Sequence, residues 1–241
     1  MRILITNDDG IENIGIRLLA EWAKKLGEVT VVAPKVEQSA KSHAIDFTRP
    51  VEIKKVPLLD GVTAYSMDST PADCVRFAIL GLKEKFDLVL SGINKGVNLG
   101  ADIVYSGTVG AVFEASRFGI PAIAFSTDFD SFDNAVAKLD EVYSFFEEHG
   151  LMKRNPLYNV NIPSHESHGI RVTRQGGMYF SDRFRPTDAE YTYQPEGYCV
   201  YEGGRNFDED IDAFKCGYIS ITPLAATRTN LALVSELQNE A

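Results

Sequence analysis

Residues 1–10 read MRILITNDDG, a short apolar run followed by a polar tip. The apolar run at 3–5 is typical of a strand covered on both faces of a sheet. Between 14 and 26 the apolar residues recur three and four positions apart, which is the spacing of an amphipathic helix. Residues 29–33 (VTVVA) predict a second buried strand. Strand, helix and strand in this order predict a crossover unit with parallel strands.

The same alternation continues through the first two thirds of the chain. Thr70 before Pro71 is typical of a helix start, and Thr108 is predicted to cap a helix that stops at Gly119. Further strands are predicted at 88–90 and 123–125, and further helices at 70–82 and 134–149. Strands that alternate with helices predict an α/β protein with a mainly parallel sheet and helices on both faces.

The pattern changes after Pro156. Strands are predicted at 158–162, 170–173 and 218–222, whereas 176–212 is rich in Gly, Tyr, Arg, Asp and Pro and has no helical periodicity. That stretch is expected to form hairpins or an extended arm. The apolar segment 231–237 is too short to stand alone as a helix and is expected to need a partner surface.

The composition limits the classes of protein. The 241 residues are 44% apolar and 24% charged with a net charge of −10, and there is no basic cluster, so nucleic acid and anionic membrane are not expected partners. No window approaches the roughly 18 apolar residues of a membrane span, and no basic segment precedes an apolar stretch, so we expect a cytoplasmic protein. Three cysteines without a C-x-x-C pair argue against disulfides and a thiolate zinc site.

Two adjacent aspartates, Asp8 and Asp9, follow the first predicted strand. Ligands of open parallel sheets bind beyond the carboxyl ends of the strands. Neighbouring carboxylates repel each other there and lose hydration. This is unfavourable unless a proton or a cation neutralises their charge. Hydroxyl and amide oxygens at the neighbouring strand tips complete an oxygen ligand set of the kind that Mg²⁺ or Mn²⁺ prefers. The alternative is that Asp8 or Asp9 caps the following helix.

A glycine-rich run occupies 91–110. Its glycines let main-chain N–H groups approach an anion, and Ser106-Gly107-Thr108 lies at a predicted helix N-terminus, which is a ready phosphate site. The alternative is an ordinary glycine-rich connection. The chain contains no dinucleotide fingerprint, no P-loop and no G-x-S-x-G nucleophile motif.

Several blocks together resemble the survival protein E (SurE) family of 5′-nucleotidases. The blocks are 6–11 (TNDDGI), Ala33-Pro34 with Ser39, 70–75 (TPADCV), 91–110 and 217–224 (GYISITPL). The resemblance implies a metal-dependent phosphatase that hydrolyses nucleoside monophosphates, with exopolyphosphatase activity in some members. It also implies a Rossmann-like three-layer sandwich whose C-terminal arms are exchanged between subunits. We therefore expect one domain over 1–241, with a Rossmann-like core at about 1–175. Extended hairpins, a final strand and a C-terminal arm, exchanged between subunits, are expected at about 176–241.

The resemblance also implies site residues. It makes Asp8, Asp9, Ser39 and Asn94 ligands of one Mg²⁺ or Mn²⁺ ion per subunit, and it places Asn98 with Ser106, Gly107 and Thr108 around the substrate phosphate. Two positions depart from the family pattern: Ala40 and Ser69 stand where Gly is usual. The partners implied are a nucleoside monophosphate and one or three further copies of the chain, in a homodimer or homotetramer.

The chemistry expected is an in-line attack of an activated water on phosphorus. Asp8 is the candidate base and Asn98 holds phosphate oxygens, while a covalent route through Asp8 stays open. Two other functions also stay open: a nucleotide-binding regulatory protein that does not cleave its ligand, and a metal-dependent sugar-nucleotide transferase. The sequence does not decide base or sugar preference, the preferred phosphate position (5′ or 3′), the physiological metal or the number of subunits.

Overall fold

The structure is a computed structural model and describes residues 1–240. Its strands are β1 (Arg2–Thr6), β2 (Glu28–Pro34), β3 (Ile53–Val56), β4 (Thr63–Met67), β5 (Leu88–Lys95), β6 (Ala122–Thr127), β7 (Leu157–Asn161), β8 (Ile170–Val172), β9 (Phe180–Pro186), β10 (Tyr193–Cys199) and β11 (Ile219–Pro223). Its α-helices are α1 (Ile14–Ala23), α2 (Pro71–Arg76), α3 (Gly107–Arg117), α4 (Asp133–Glu148), α5 (Leu151–Arg154), α6 (Asp210–Lys215) and α7 (Leu231–Glu240). No helix in this range is long and apolar enough to cross a membrane.

Nine strands form one mixed sheet in the order β3-β4-β2-β1-β5-β6-β7-β11-β8. The six strands from β4 to β7 in that order run parallel, while β3 pairs antiparallel with β4, and β11 pairs antiparallel with β7 and parallel with β8. One buried cluster joins the sheet to α1 and α4, and a second joins the opposite face to α2 and α3. The predicted Rossmann-like three-layer α/β fold is confirmed.

Two helix starts show why local sequence matters. Thr70 caps α2 as predicted, since its hydroxyl accepts the N–H of Asp73 at 3.2 Å. The prediction that Thr108 caps α3 is wrong. The cap is Ser106, whose side chain accepts the N–H of Val109 at 3.1 Å. This releases the Thr108 hydroxyl for a contact at the site.

Several elements were not predicted. The edge strand β3 is exposed at its two central positions, and its neighbour β4 mixes partly buried and buried positions; neither is a continuous apolar run. The helix predicted to reach residue 82 is α-helical only to Arg76 and continues as a π-helical turn, Phe77–Gly81. The short helices α5 and α6 are also absent from the prediction, and the segment at 231–237, predicted to be too short for a helix on its own, lies in the ten-residue helix α7.

The stretch after residue 176 is divided between a hairpin and the central sheet, because its final strand, β11, lies between β7 and β8. Strands β9 and β10 form a separate two-stranded antiparallel sheet. Phe184 is 67% exposed on this hairpin, and Leu231 and Leu237 are more than half exposed on α7. These apolar surfaces are where the predicted exchange between subunits would bury area, and that exchange stays a prediction.

Candidate active site

Four neighbouring strands deliver the predicted site residues to one edge of the sheet. Strands β2, β1, β5 and β6 are adjacent and parallel, so their carboxyl ends lie side by side. Asp8 and Asp9 follow β1 and Ser39 follows β2, while Asn94 lies near the end of β5 and Asn98 in the loop after it. Ser126 lies at the same end of β6. The sheet topology therefore brings the predicted residues to one crevice, as expected for an open parallel sheet.

Asp8 is the most enclosed acidic group of this edge, with only 5% of its surface exposed. Its carboxylate accepts a hydrogen bond from the Thr108 hydroxyl, and the backbone N–H groups of Gly107 and Thr108 lie near it and act to lower its pKa. Burial raises the pKa of Asp8, and these donors only partly oppose that effect. The N-terminus of α3 thus stabilises the ionised form of a carboxylate that its surroundings otherwise disfavour.

Asp9 is half-buried next to Asp8. Its Oδ2 atom accepts the backbone N–H of Lys95 at 3.1 Å, a contact that joins the loop after β1 to the end of β5. The pKa of Asp9 is raised to about 6, mainly by burial and also by the charges of Asp8 and Glu37. The Lys95 amide opposes this rise. Neither aspartate caps α1, because the side chain of Asn13 accepts the N–H of Gly15 at 2.7 Å and does so instead.

Asn94 lies where the β5–β6 register shifts, between Ser91 and Asn94. Such a bulge redirects side chains at the end of a strand. The Nδ2 atom of Asn94 donates to the carbonyl of Gly96 at 2.7 Å, which leaves Oδ1 as the free oxygen of this amide. Asn94 therefore lies one residue before the contact of Lys95 with Asp9, and its role as a metal ligand stays a prediction.

Ser39 is positioned less directly. Its loop is fixed to the site by a 2.7 Å hydrogen bond from the Gln38 N–H to the carbonyl of Asp8. The Ser39 side chain is exposed, and its hydroxyl donates to Oε1 of Glu37 at 2.5 Å. This donation leaves the lone pairs of the Ser39 hydroxyl oxygen available to a metal. Glu37 is a third acidic residue of this edge that the sequence analysis missed.

The start of α3 lies in direct contact with Asp8. A Cβ atom added to Gly107 would lie 2.9 Å from the Cβ of Asp8 and 3.2 Å from Cγ of Pro71. Only glycine therefore allows the helix N-terminus to approach the carboxylate this closely. Ser106, Gly107 and Thr108 are all buried, and the amides that the sequence assigns to phosphate face Asp8.

We expect Gly107→Ala to lower kcat/KM by about tenfold or more and to lower the melting temperature, because the new methyl group must displace Asp8 or the helix start. Phosphate-release kinetics and thermal melting test this. Gly177→Ala is the matched control, since an added Cβ there meets no atom within 4 Å. Equal effects of the two substitutions would contradict the close approach as the cause.

Asn98 is buried, with 9% of its surface exposed. Its Nδ2 atom donates to Oγ of Ser126 at 2.8 Å. An amide nitrogen carries two hydrogens, so one remains for a phosphate oxygen. Asn98 therefore lies in the loop that follows β5, and its side chain is bound to β6 through Ser126.

A second group of charges lies near the start of α3. Glu114 is 2% exposed and its carboxylate contacts Nε2 of His43 at 2.6 Å and the Arg76 guanidinium at 3.3 Å. Burial acts to raise the pKa of Glu114, but the hydrogen bonds and charges of His43 and Arg76 outweigh it, so the pKa is lowered. The pairing of His43 with a carboxylate on α3 has no local signal in the sequence, because the two residues are 71 positions apart.

The site suits a hard cation. Burial raises the pKa of both Asp8 and Asp9, which means that the crevice disfavours two uncompensated negative charges. A divalent ion removes that penalty, and the available ligand atoms are carboxylate and amide oxygens. Within residues 1–240, no group of three or more His, Cys, Asp or Glu side chains is arranged to hold a metal. The proposed set has only two carboxylates and differs in kind from such a group.

Comparison with known proteins gives a consistent result. Residues 3–182 match a family model described as survival protein SurE. A protein of Thermoanaerobacter sp. (strain X514) named 5′-nucleotidase SurE is 41% identical over 99% of this chain and 98% of its own length. A protein of the same name from Thermosipho melanesiensis is 38% identical over 99% and 96%. The crystal structure of the SurE protein from Aquifex aeolicus has a TM-score of 0.83 and 35% identity, covering 99% of both chains.

Proposed function

The chain belongs to the survival protein SurE family, and on that premise we propose that it is a metal-dependent 5′-nucleotidase that hydrolyses nucleoside monophosphates to nucleoside and phosphate. The observation that carries the proposal is the contact of buried Asp8 with the N-terminus of α3, beside Asp9 at the edge of the sheet. An acidic pair with an adjacent anion-binding helix end suits phosphate chemistry. Full-length relatives named 5′-nucleotidase SurE support the substrate class.

We assign one Mg²⁺ or Mn²⁺ ion per subunit to Asp8, Asp9, Asn94 and Ser39. When bound, the ion supplies charge neutralisation at the phosphate and a water of lowered pKa. Ser39 is the weakest member of this set, because its hydroxyl is neutral and its side chain is exposed. Replacing Ser39 is therefore expected to affect metal affinity less than replacing either aspartate.

The residues of the chain have separate roles in the proposed reaction. The Asp8 carboxylate takes a proton from the attacking water. Thr108 orients that carboxylate through its hydroxyl. The free hydrogen of the Asn98 amide and the N-terminus of α3 hold phosphate oxygens as negative charge develops. These groups position charge and protons, which is the main requirement of phosphoryl transfer.

Phosphate release from a panel of substrates tests the proposal. We expect turnover of nucleoside 5′-monophosphates, with lower rates for 3′-monophosphates and short polyphosphate. A nucleotide-binding regulatory protein would saturate with nucleotide and release no phosphate over hours. A sugar-nucleotide transferase would release nucleoside diphosphate from a sugar nucleotide and leave monophosphates intact. Either of these results would contradict the proposal.

We also infer an oligomer in which the arms are exchanged. The exposed apolar residues of α7 and the aromatic residues of the β9–β10 hairpin support it, because such surfaces are usually covered in a stable protein. Light scattering at micromolar concentration should give the mass of a dimer or a tetramer. A monomeric mass would contradict the exchange.

A further inference from the structure

Asn98 is held by side chains from two neighbouring strands. Its backbone N–H donates to Oδ1 of Asn161 at 2.8 Å, and its carbonyl accepts Nδ2 of Asn161 at 2.8 Å and Nδ2 of Asn159 at 2.7 Å. Its side chain is fixed by Ser126. Both ends of the main chain and the side chain of one loop residue are therefore bound by buried groups.

The amide of Asn161 makes a contact that other side chains cannot reproduce. It offers an acceptor to the N–H of Asn98 and a donor to its carbonyl at the same time. A carboxylate offers no donor and an aliphatic side chain offers neither. The pair of bonds therefore fixes the orientation of the Asn98 backbone as well as its position.

The amides of Asn159 and Asn161 lie where burial of a polar group is unfavourable. Asn159 and Asn161 are fully buried within β7, where an unpaired amide loses its hydration without compensation. The cluster is not fully satisfied within the described part of the chain, since Oδ1 of Asn159 and Oγ of Ser220 have no hydrogen-bond partner there. Apolar side chains at these buried positions would not carry this desolvation penalty. Stability alone therefore does not account for two asparagines at this point.

We call the side chains of Asn159 and Asn161, which bind the Asn98 backbone, the clamp. The clamp lies at the edge of the sheet that carries the site. Ser126 is in register with Asn161 on one side and with Asn94 on the other. The residue after Asn94, Lys95, donates its N–H to Asp9. The loop from 94 to 98 is thus fixed at its start against Asp9 and at its end against β7.

We propose that Asn161, with Asn159, is a positioning residue of the phosphatase site: the two amides hold Asn98 where its side chain meets the substrate phosphate. This inference rests on the proposed function. Neither asparagine touches the substrate in this account, so their effect passes entirely through Asn98.

A double-mutant cycle tests the clamp. Asn161→Leu removes both bonds to the Asn98 backbone and is expected to lower kcat/KM for a nucleoside 5′-monophosphate by about 10- to 100-fold. It should also weaken inhibition by inorganic phosphate by about tenfold. In an Asn98→Ala background the same change should cost less than about threefold, because the group that it positions is already absent. Asn159→Ala, which removes one bond, should have a smaller effect of the same kind.

The control is Ser220→Ala. Ser220 is buried in register with Asn161, but its hydroxyl has no partner in residues 1–240, so its removal should leave kcat/KM within about twofold. Near-UV circular dichroism and thermal melting establish that each variant is folded. If Asn161→Leu does not fold, Asn159→Ala takes its place in the same cycle.

Two outcomes overturn the clamp. A folded Asn161 or Asn159 variant with unchanged kinetics would do so, and so would a loss of equal size in the Asn98→Ala background, since that is the pattern of a purely structural residue. Failure of the proposed function gives a different result, because the wild-type protein itself would then release no phosphate. In that case, hydrogen exchange of the Asn98 amide still decides the clamp: faster exchange in Asn161→Leu than in Ser220→Ala supports it, and equal exchange contradicts it.

Discussion

Asp9→Asn is expected to lower kcat/KM by at least about 10²-fold, or roughly 3 kcal/mol of barrier, and to raise the stability of the metal-free protein at pH 8. The activity falls because one of the two charged metal ligands is lost. The stability rises because the folded protein holds Asp9 at a pKa of about 6, above the ordinary value of 3.8. The measurements are phosphate-release kinetics and thermal melting in the presence of chelator.

The stability gain has a defined pH range. A carboxyl group with a raised pKa binds its proton more tightly when folded, so its penalty is absent below about pH 4 and complete above about pH 6. Because Asp9 is only half-buried, we expect a gain of about 1 kcal/mol at pH 8 and none at pH 4. Asp60→Asn is the control, since Asp60 is exposed and precedes β4 at the opposite edge of the sheet. Near-wild-type activity of Asp9→Asn would move the metal site elsewhere.

Asp8→Asn should have the larger effect on turnover, at least about 10³-fold in kcat/KM, or roughly 4 kcal/mol. The Asp8 carboxylate faces three donors, the Thr108 hydroxyl and the amides of Gly107 and Thr108. An asparagine there removes the proposed base and a metal ligand, and it turns an NH₂ group toward N–H donors. Steady-state kinetics and calorimetric Mn²⁺ titration of the variant measure both losses.

The partner residue supplies the control for this prediction. Thr108→Val removes only the hydroxyl bond and is expected to lower kcat/KM about tenfold, whereas Thr108→Ser keeps the donor and should stay within about threefold of wild type. A Thr108→Val variant as inactive as Asp8→Asn would assign the catalytic effect to the threonine instead. Unchanged Mn²⁺ affinity in Asp8→Asn would contradict its role as a ligand.

The fold was predictable where strands are buried on both faces. The central strands β1, β2, β5 and β6 were found because continuous apolar runs are typical of a covered parallel sheet. The edge pair β3 and β4 was missed because an edge strand needs apolar residues on few positions, and Ile53–Val56 has two lysines at its centre. The cap of α3 was misplaced for a different reason. Ser and Thr are both good N-caps, and the sequence does not select between Ser106 and Thr108.

The candidate site was predictable in part. The adjacent pair Asp8 and Asp9 gives a local signal, because two carboxylates at the end of a buried strand need an explanation. Glu37 gives no such signal, since a glutamate in a polar loop is ordinary, and its effect on the pKa of Asp9 arises only from the folded loop. Asn159 and Asn161 did carry a usable signal, two amides on one face of a buried strand, but their partner lies about sixty residues earlier in the sequence.

The requirement for a divalent cation at Asp8 and Asp9 is tested most directly by removing and restoring the metal. Wild-type protein is dialysed against chelator, and phosphate release from a nucleoside 5′-monophosphate is then measured during titration with Mn²⁺ or Mg²⁺. We expect no turnover without metal and full recovery at a stoichiometry near one ion per subunit, with no recovery in Asp9→Asn at the same metal concentration. Unchanged turnover of the wild-type protein in excess chelator would contradict the account.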